Sequence, residues 1–139
     1  MRVTRVAAKT KKAKPKKATR ARGAPRLRIT MGKGVLLGPG KVDLLEAIER
    51  HGSISAAGRE MGMSYRRAWL LVDALNGMFG EPLVTTASGG AHGGGAQITE
   101  LGKAIAGAYR RIEQRTFAAI REELSRLPHM LQQISEPLY

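Results

Sequence analysis

Ser64, Tyr65, Arg66 and Arg67 stand in a row at the head of an apolar run with helical spacing. A serine there caps a helix, because its hydroxyl accepts one of the N–H groups that the first turn leaves without a partner. The two arginines then fall in the first turn, where the helix dipole is already positive. An anion beside them removes that repulsion. Arginine also has the planar fork that matches the O6 and N7 acceptors of guanine. Residues near the N-terminus of a helix laid in the major groove reach base edges. At about 100° per residue, Arg66, Leu70, Asp73 and Gly77 share the outward face, and an apolar side chain at Leu70 can meet a thymine methyl. An amphipathic helix with merely solvated arginines is the plainer alternative. The charge placement favours a DNA reader.

The flanking elements must hold that helix out. A first helix is expected from about Lys41 to His51, with Val42, Leu45 and Ile48 on its inner face and Gly52 as its stop. Ser53 caps a second, whose inner stripe is Ile54, Ala57 and Met61. Gly58 inside it costs about 1 kcal/mol against alanine, which close helix approach would explain. Gly62-Met63 is the turn. The third helix, capped by Ser64, is expected to reach Phe79, with Ala68, Leu71, Val72, Leu75, Met78 and Phe79 inward; Gly80 and Pro82 end it. Trp69 flanks this stripe and reads as half-buried packing.

A wing is expected next. Leu83–Thr86 reads as a strand, Ala87 to Gly95 as a glycine-rich loop, and Ala96–Ile98 as the return strand. Gly89, Gly90, Gly93, Gly94 and Gly95 can turn backbone N–H groups toward DNA phosphates, with His92 beside them. A phosphate cradle of the P-loop kind would end in Gly-Lys-Ser/Thr and open a helix, and this loop does neither. Upstream, Leu27–Met31 alternates as a short strand. Gly32-Lys33-Gly34 bends it or makes a bulge, Val35–Leu37 continues it, and Gly38-Pro39-Gly40 breaks the chain. Thr99 caps a last helix extending to Leu127 with a stripe of Leu101, Ile105, Ala108, Ile112, Ala119 or Ile120, and Leu124. That stripe is longer than one small core can bury, so the helix is expected to pair with a second copy.

Charge divides the chain unevenly. Twelve of the 24 lysines and arginines lie in residues 1–28, which contain no acid, while the remainder has 12 bases against 11 acids. The basic excess belongs to an arm whose few apolar side chains are small. Burial cannot offset its ordering entropy, so it is expected to be disordered and to bind polyanions. There is no cysteine, and His51, His92 and His129 form no metal-binding pair on a helix face. No carboxylate pair, Ser/His/Asp set or nucleophile elbow stands out, so an enzyme is not expected. No apolar h-region directly follows the first basic residues, so a secretory signal is not expected, and no apolar run approaches a membrane span. A cytoplasmic, nucleoid-associated protein without a cofactor is expected.

Three stretches together resemble one family. Gly52-Ser53-Ile54-Ser55 opens the second helix. Gly62-Met63-Ser64-Tyr65 precedes Ala68-Trp69 in the third. The loop reads Ser88-Gly89-Gly90-Ala91-His92-Gly93-Gly94-Gly95-Ala96. From about Leu27 to Glu123 the chain resembles the N-terminal domain of ModE-type molybdate-responsive transcriptional regulators, whose helix-turn-helix is of the LysR kind. The resemblance implies a winged-helix dimer on a palindromic operator, with Ser64 to Arg67 at the major groove, the glycine loop as wing and the last helix in the dimer interface. Full-length members carry small β-barrel molybdate domains. The segment beyond Leu127 is too short for one, so the sequence does not support molybdate as a ligand. The basic arm also departs from the family pattern.

The fold expected is mainly α with a small β component: a winged helix-turn-helix with a two-stranded wing and a long C-terminal dimerisation helix. Its divisions are a disordered basic arm (1–26), the DNA-binding domain (27–98), the dimerisation helix (99–127) and a tail (128–139). The DNA-binding set is Ser64, Tyr65, Arg66, Arg67, Leu70, Ser53, Ser55, Gly89, Gly90, His92, Gly93, Gly94 and Gly95. The partners are double-stranded DNA and a second copy. The rival readings are a nonspecific nucleic-acid-compacting protein, carried by the arm, and a molybdate- or tungstate-binding protein.

Overall fold

Pro39 stands where a helix most easily starts, since its fixed φ suits the first turn and its missing N–H would have had no partner. The computed structural model describes residues 25–32, 34–87 and 95–128, and in it helix α1 runs Pro39–His51, two residues earlier than expected. Gly52 closes α1 at φ 70°, a left-handed conformation that costs glycine least, and its N–H reaches the carbonyl of Ile48. Helix α2 spans Ile54–Glu60 and helix α3 Tyr65–Asn76. Both carry the expected serine caps: Ser53 Oγ accepts from the Ala56 N–H at 3.0 Å, and Ser64 Oγ from that of Arg67 at 3.1 Å.

Gly58 has the reason the sequence suggests. A Cβ there would lie 3.1 Å from the Cβ of Ala68, so the glycine lets α2 and α3 approach closely. Helix α3 ends at Asn76, before Phe79; Met78 and Phe79 pack partly against the core from the loop beyond. Past Asn76 the backbone tightens, with the Gly77 and Met78 N–H groups reaching the carbonyls of Ala74 and Leu75 three residues back, and the Asn76 side chain binds the backbone of the next strand.

That strand, β3 (Val84–Thr86), pairs antiparallel with β4 (Ala96–Ile98) in the register Val84↔Ile98, Thr85↔Gln97, Thr86↔Ala96. This is the two-stranded wing. The segment upstream is a second hairpin: β1 (Ile29–Met31) pairs antiparallel with β2 (Val35–Leu37), so the chain reverses where a continued strand was expected. Gly32 and Gly34, at φ 51° and 87°, make that reversal.

Helix α4 spans Glu100–Leu124, capped by Thr99. Its core-facing line is Gly102, Ala106, Tyr109, Glu113 and Phe117. The expected stripe lies beside this line: Leu101, Ile105, Ala108, Ile120 and Leu124 are half-buried, whereas Ile112 and Ala119 are exposed. Apart from Phe117, the residues of the buried line are a glycine, an alanine, a tyrosine and a carboxylate, which carry no aliphatic signal. Gly102 is required, since a Cβ there would stand 2.5 Å from the carbonyl oxygen of Leu83 and 2.6 Å from Ile98 Cγ1. Tyr109 is 1% exposed, and its hydroxyl donates to the carbonyl of Leu27 at 2.6 Å.

Next to Tyr109, Arg110 ties α4 to α1. Its guanidinium donates to both oxygens of Glu46, at 3.0 and 2.9 Å, to Asp43, and to Glu113 one turn on. These hydrogen bonds, chiefly that to Glu46, hold Arg110 firmly in its charged form. The core above it contains Val42, Leu44, Leu45, Ile48, Val72, Leu75 and Leu83, each essentially without exposed surface.

Candidate nucleic-acid interface

The turn between α2 and α3 is built from backbone. Gly62 takes φ 71°, and the Met63 N–H donates back to the carbonyl of Gly58 at 2.9 Å. The chain leaves this turn with Ser64, Tyr65, Arg66 and Arg67 all exposed. Leu70 comes next on the outward side at 54% exposure, while Ala68, Val72 and Leu75 point into the core. The helix therefore offers its N-terminal turn to solvent, as its sequence indicates. No salt bridge joins Arg66 or Arg67 to an acid among the described residues. Trp69 is half-buried against the core, and the Tyr65 ring meets it edge-on, with centroids 6.2 Å apart and planes at 76°. The packing role of Trp69 thus has a second part: it supports an exposed tyrosine on the first turn of α3.

Ser53 and Ser55 sit half-buried at the head of α2, their hydroxyl oxygens 3.4 Å apart. Ser53 Oγ accepts one N–H as the cap, which leaves it one hydrogen bond to donate and one more to accept. Gly95 is exposed at the base of the wing, where its carbonyl accepts from the Ala87 N–H at 3.0 Å. Gly89, Gly90, His92, Gly93 and Gly94 lie outside the described residues.

The wing is fixed to both ends of the helix-turn-helix. The Ala96 N–H donates to the carbonyl of Gly52, at the junction of α1 and α2, at 2.9 Å. Asn76, the last residue of α3, accepts from the Leu83 and Val84 N–H groups and donates to the Val84 carbonyl. Between the wing base and Gly52 lies an open cleft lined by Thr85, Thr86, Ala87, Gly95, Ala96 and Gln97. Thr85 and Gln97 face each other across the strands and are exposed. Sequence reasoning did not pick out Asn76, Thr85 or Gln97. The alternation in Leu83–Thr86 and Ala96–Ile98 was the available signal for the last two.

Arg50 and His51 at the end of α1 both reach Glu60 at the end of α2, at 2.5 and 2.6 Å. The Arg50 hydrogen bond holds the Glu60 carboxyl below its ordinary range, and His51 adds to the effect. This clamp joins the C-terminal ends of α1 and α2. Among the described residues, no helix is long and apolar enough to cross a membrane.

Residues 40–103 match the model of the bacterial regulatory helix-turn-helix protein, lysR family. The match thus begins inside α1 and ends in the first turn of α4. The chain is 44% identical over 91 residues to the molybdenum-pterin-binding protein MopA of Rhodobacter capsulatus, covering 66% of this chain and 31% of that one. It is 40% identical over 95 residues to the molybdenum transport protein ModE of Azotobacter vinelandii, covering 68% and 35%. It is 30% identical over 100 residues to the DNA-binding transcriptional dual regulator ModE of Escherichia coli K12, covering 70% and 38%. The chain thus aligns with only about a third of the length of these relatives. With its winged architecture and outward α3, the chain carries a LysR-type helix-turn-helix domain and is homologous, over that domain, to the ModE-type regulators.

Proposed function

We propose that this chain is a sequence-specific, DNA-binding transcriptional regulator of the ModE type, without enzymatic activity, that binds a palindromic operator as a dimer. One observation carries the proposal: an arginine pair without acidic partners among the described residues and an exposed leucine project from the first turns of a helix whose other face is locked into the core. Ser64, Tyr65, Arg66, Arg67 and Leu70 enter the major groove. Ser53 and Ser55 meet the phosphate backbone, as do the loop glycines Gly89, Gly90, Gly93, Gly94 and Gly95, with His92 beside them. The regulator works in the cytoplasm, at the nucleoid. It is divided into a basic arm (1–26), a reading domain (27–98), a dimerisation helix (99–127) and a tail (128–139).

The dimer is argued from α4. Leu101, Ile105 and Ala108 are only half-covered by the chain's own core, and Ile112 is 42% exposed. A second copy packed along this line buries them, and two-fold symmetry places the two α3 helices on half-sites about one duplex turn, or a multiple, apart. A binding-site selection from random duplexes at a stated salt concentration tests the whole proposal. The expected product is a site with two-fold symmetry, bound two chains per duplex. Equal binding to selected and scrambled duplexes favours instead a compacting protein driven by the net charge of +13. A monomer in light scattering at micromolar concentration contradicts the dimer.

A further inference from the structure

The outward face of α3 is not uniformly polar. Arg66 opens it, Leu70 stands one turn later, and exposed Asp73 comes next. Five large apolar side chains are exposed among the described residues, and two of them, Tyr65 at 58% and Leu70 at 54%, belong to this 12-residue helix. A single exposed leucine is ordinary on a protein surface. Leu70 is distinguished by its company. It lies one helical turn from an arginine that no acid among the described residues neutralises, on the side of α3 away from the core. Positive charge beside it selects an anionic occupant, and duplex DNA presents one apolar group on the major-groove edge of its bases, the 5-methyl of thymine.

We propose that Leu70 reads the 5-methyl group of a thymine, making that methyl a determinant of the site this chain selects. The inference rests on the regulator reading and adds to it the chemical group recognised. Spacing narrows the position further. Four residues separate Leu70 from Arg66, an advance of about 6 Å along the helix. A duplex rises about 3.4 Å per step, so the thymine lies within about two steps of the base pair that Arg66 contacts. Asp73, a further turn along, meets no phosphate favourably and marks where close contact with the backbone ends.

The test uses the full chain and a selected duplex in which each thymine is replaced in turn by deoxyuridine, which removes only the methyl. At one position in each half-site, affinity should fall about four-fold, the worth of one buried methyl-sized group. Leu70→Ala should bind the thymine and uracil duplexes alike at that position, and Leu70→Gln should do the same. Leu70→Met should keep the preference. Because Leu70 is exposed, all three variants should melt like the parent protein. The proposal is overturned if every thymine can be replaced without loss, or if Leu70→Ala still prefers thymine at the sensitive position. It is overturned equally if Leu70→Ala changes the oligomeric state, since Leu70 then serves a protein contact. Failure of the regulator reading looks different: selected and scrambled duplexes then bind equally before any uracil is introduced, and both readings fall.

Discussion

Asn76 holds Val84 from both sides: its Nδ2 donates to the Val84 carbonyl at 3.0 Å, and its Oδ1 accepts the Val84 N–H at 3.0 Å. The same oxygen also takes the Leu83 N–H at 2.8 Å. One carboxamide therefore joins the end of α3 to the start of the wing. Replacing it with alanine leaves two backbone donors and one acceptor without these partners. Asn76→Ala should lose about 1–3 kcal/mol of stability in urea unfolding, the cost of leaving buried polar groups unsatisfied. Asn76→Asp keeps both accepted bonds, and below the carboxylate range, where its O–H can donate to the Val84 carbonyl, it should lose less than alanine; when ionised it sets a charged oxygen against that carbonyl. Equal losses in the two variants below that range contradict this account.

Two glycines inside helices separate tight packing from helix propensity. At Gly102 a Cβ would meet the Leu83 carbonyl oxygen at 2.5 Å, and backbone cannot swing aside as a flexible side-chain end can. Gly102→Ala should destabilise the protein by about 1–3 kcal/mol through overpacking. At Gly58 the nearest atom would be a methyl at 3.1 Å, where a shift of a few tenths of an ångström suffices. The helix-propensity gain of about 1 kcal/mol then offsets the strain. Gly58→Ala should lie near neutral in the same assay, and a loss as large as that at Gly102 contradicts the packing described.

The Glu60 clamp gives stability a pH dependence of definite sign. The folded-state pKa of Glu60 is lowered, first by the Arg50 hydrogen bond. Its contribution is therefore fully present above the ordinary carboxylate pKa of 4.5 and is lost as pH falls through the lower, folded value. Glu60→Gln should be less stable than the parent at pH 7, and the gap should close as the solution is acidified below that range. Unfolding curves from pH 7 to pH 3 check it; a gap that widens on acidification contradicts the clamp.

Most of the helix-turn-helix was legible because its signals are local. Ser53, Ser64 and Thr99 cap helices through bonds to N–H groups three residues on, and Gly52 ends α1 by its own backbone conformation. Long-range partners were not legible. Asn76 looks like any polar residue on a helix until β3 folds back onto it. The β1–β2 hairpin turns on two glycines that equally suit a bulge. Along α4, apolarity pointed to Leu101, Ile105 and Ile112, but packing selected the line through Gly102, Tyr109 and Phe117. There, close approach to Leu83 and a hydrogen bond to Leu27 decide the face.

The arm and the reader should separate in their salt dependence. Residues 1–26 hold eleven lysines and arginines and no acid. Each phosphate they neutralise should steepen log K against log salt by about 0.9. Deleting 1–26 should flatten that slope and weaken all duplexes by similar factors, leaving the ranking of sites unchanged, because phosphate contacts position and base contacts specify. Titrations of both proteins against selected and scrambled duplexes at several salt concentrations check this. Loss of discrimination with the fold intact would make the arm a reader.

The most direct measurement of the central claim is duplex binding by Arg66→Ala and Arg67→Ala at moderate salt, against a selected duplex and its single-position variants. Both side chains are exposed, so both proteins should fold as the parent does. Loss of the base-reading arginine should cost about 1–3 kcal/mol at the selected duplex and relax preference at one position. Loss of a phosphate-contacting arginine should weaken all duplexes evenly. If both substitutions leave binding to the selected duplex unchanged, α3 is not the reading helix.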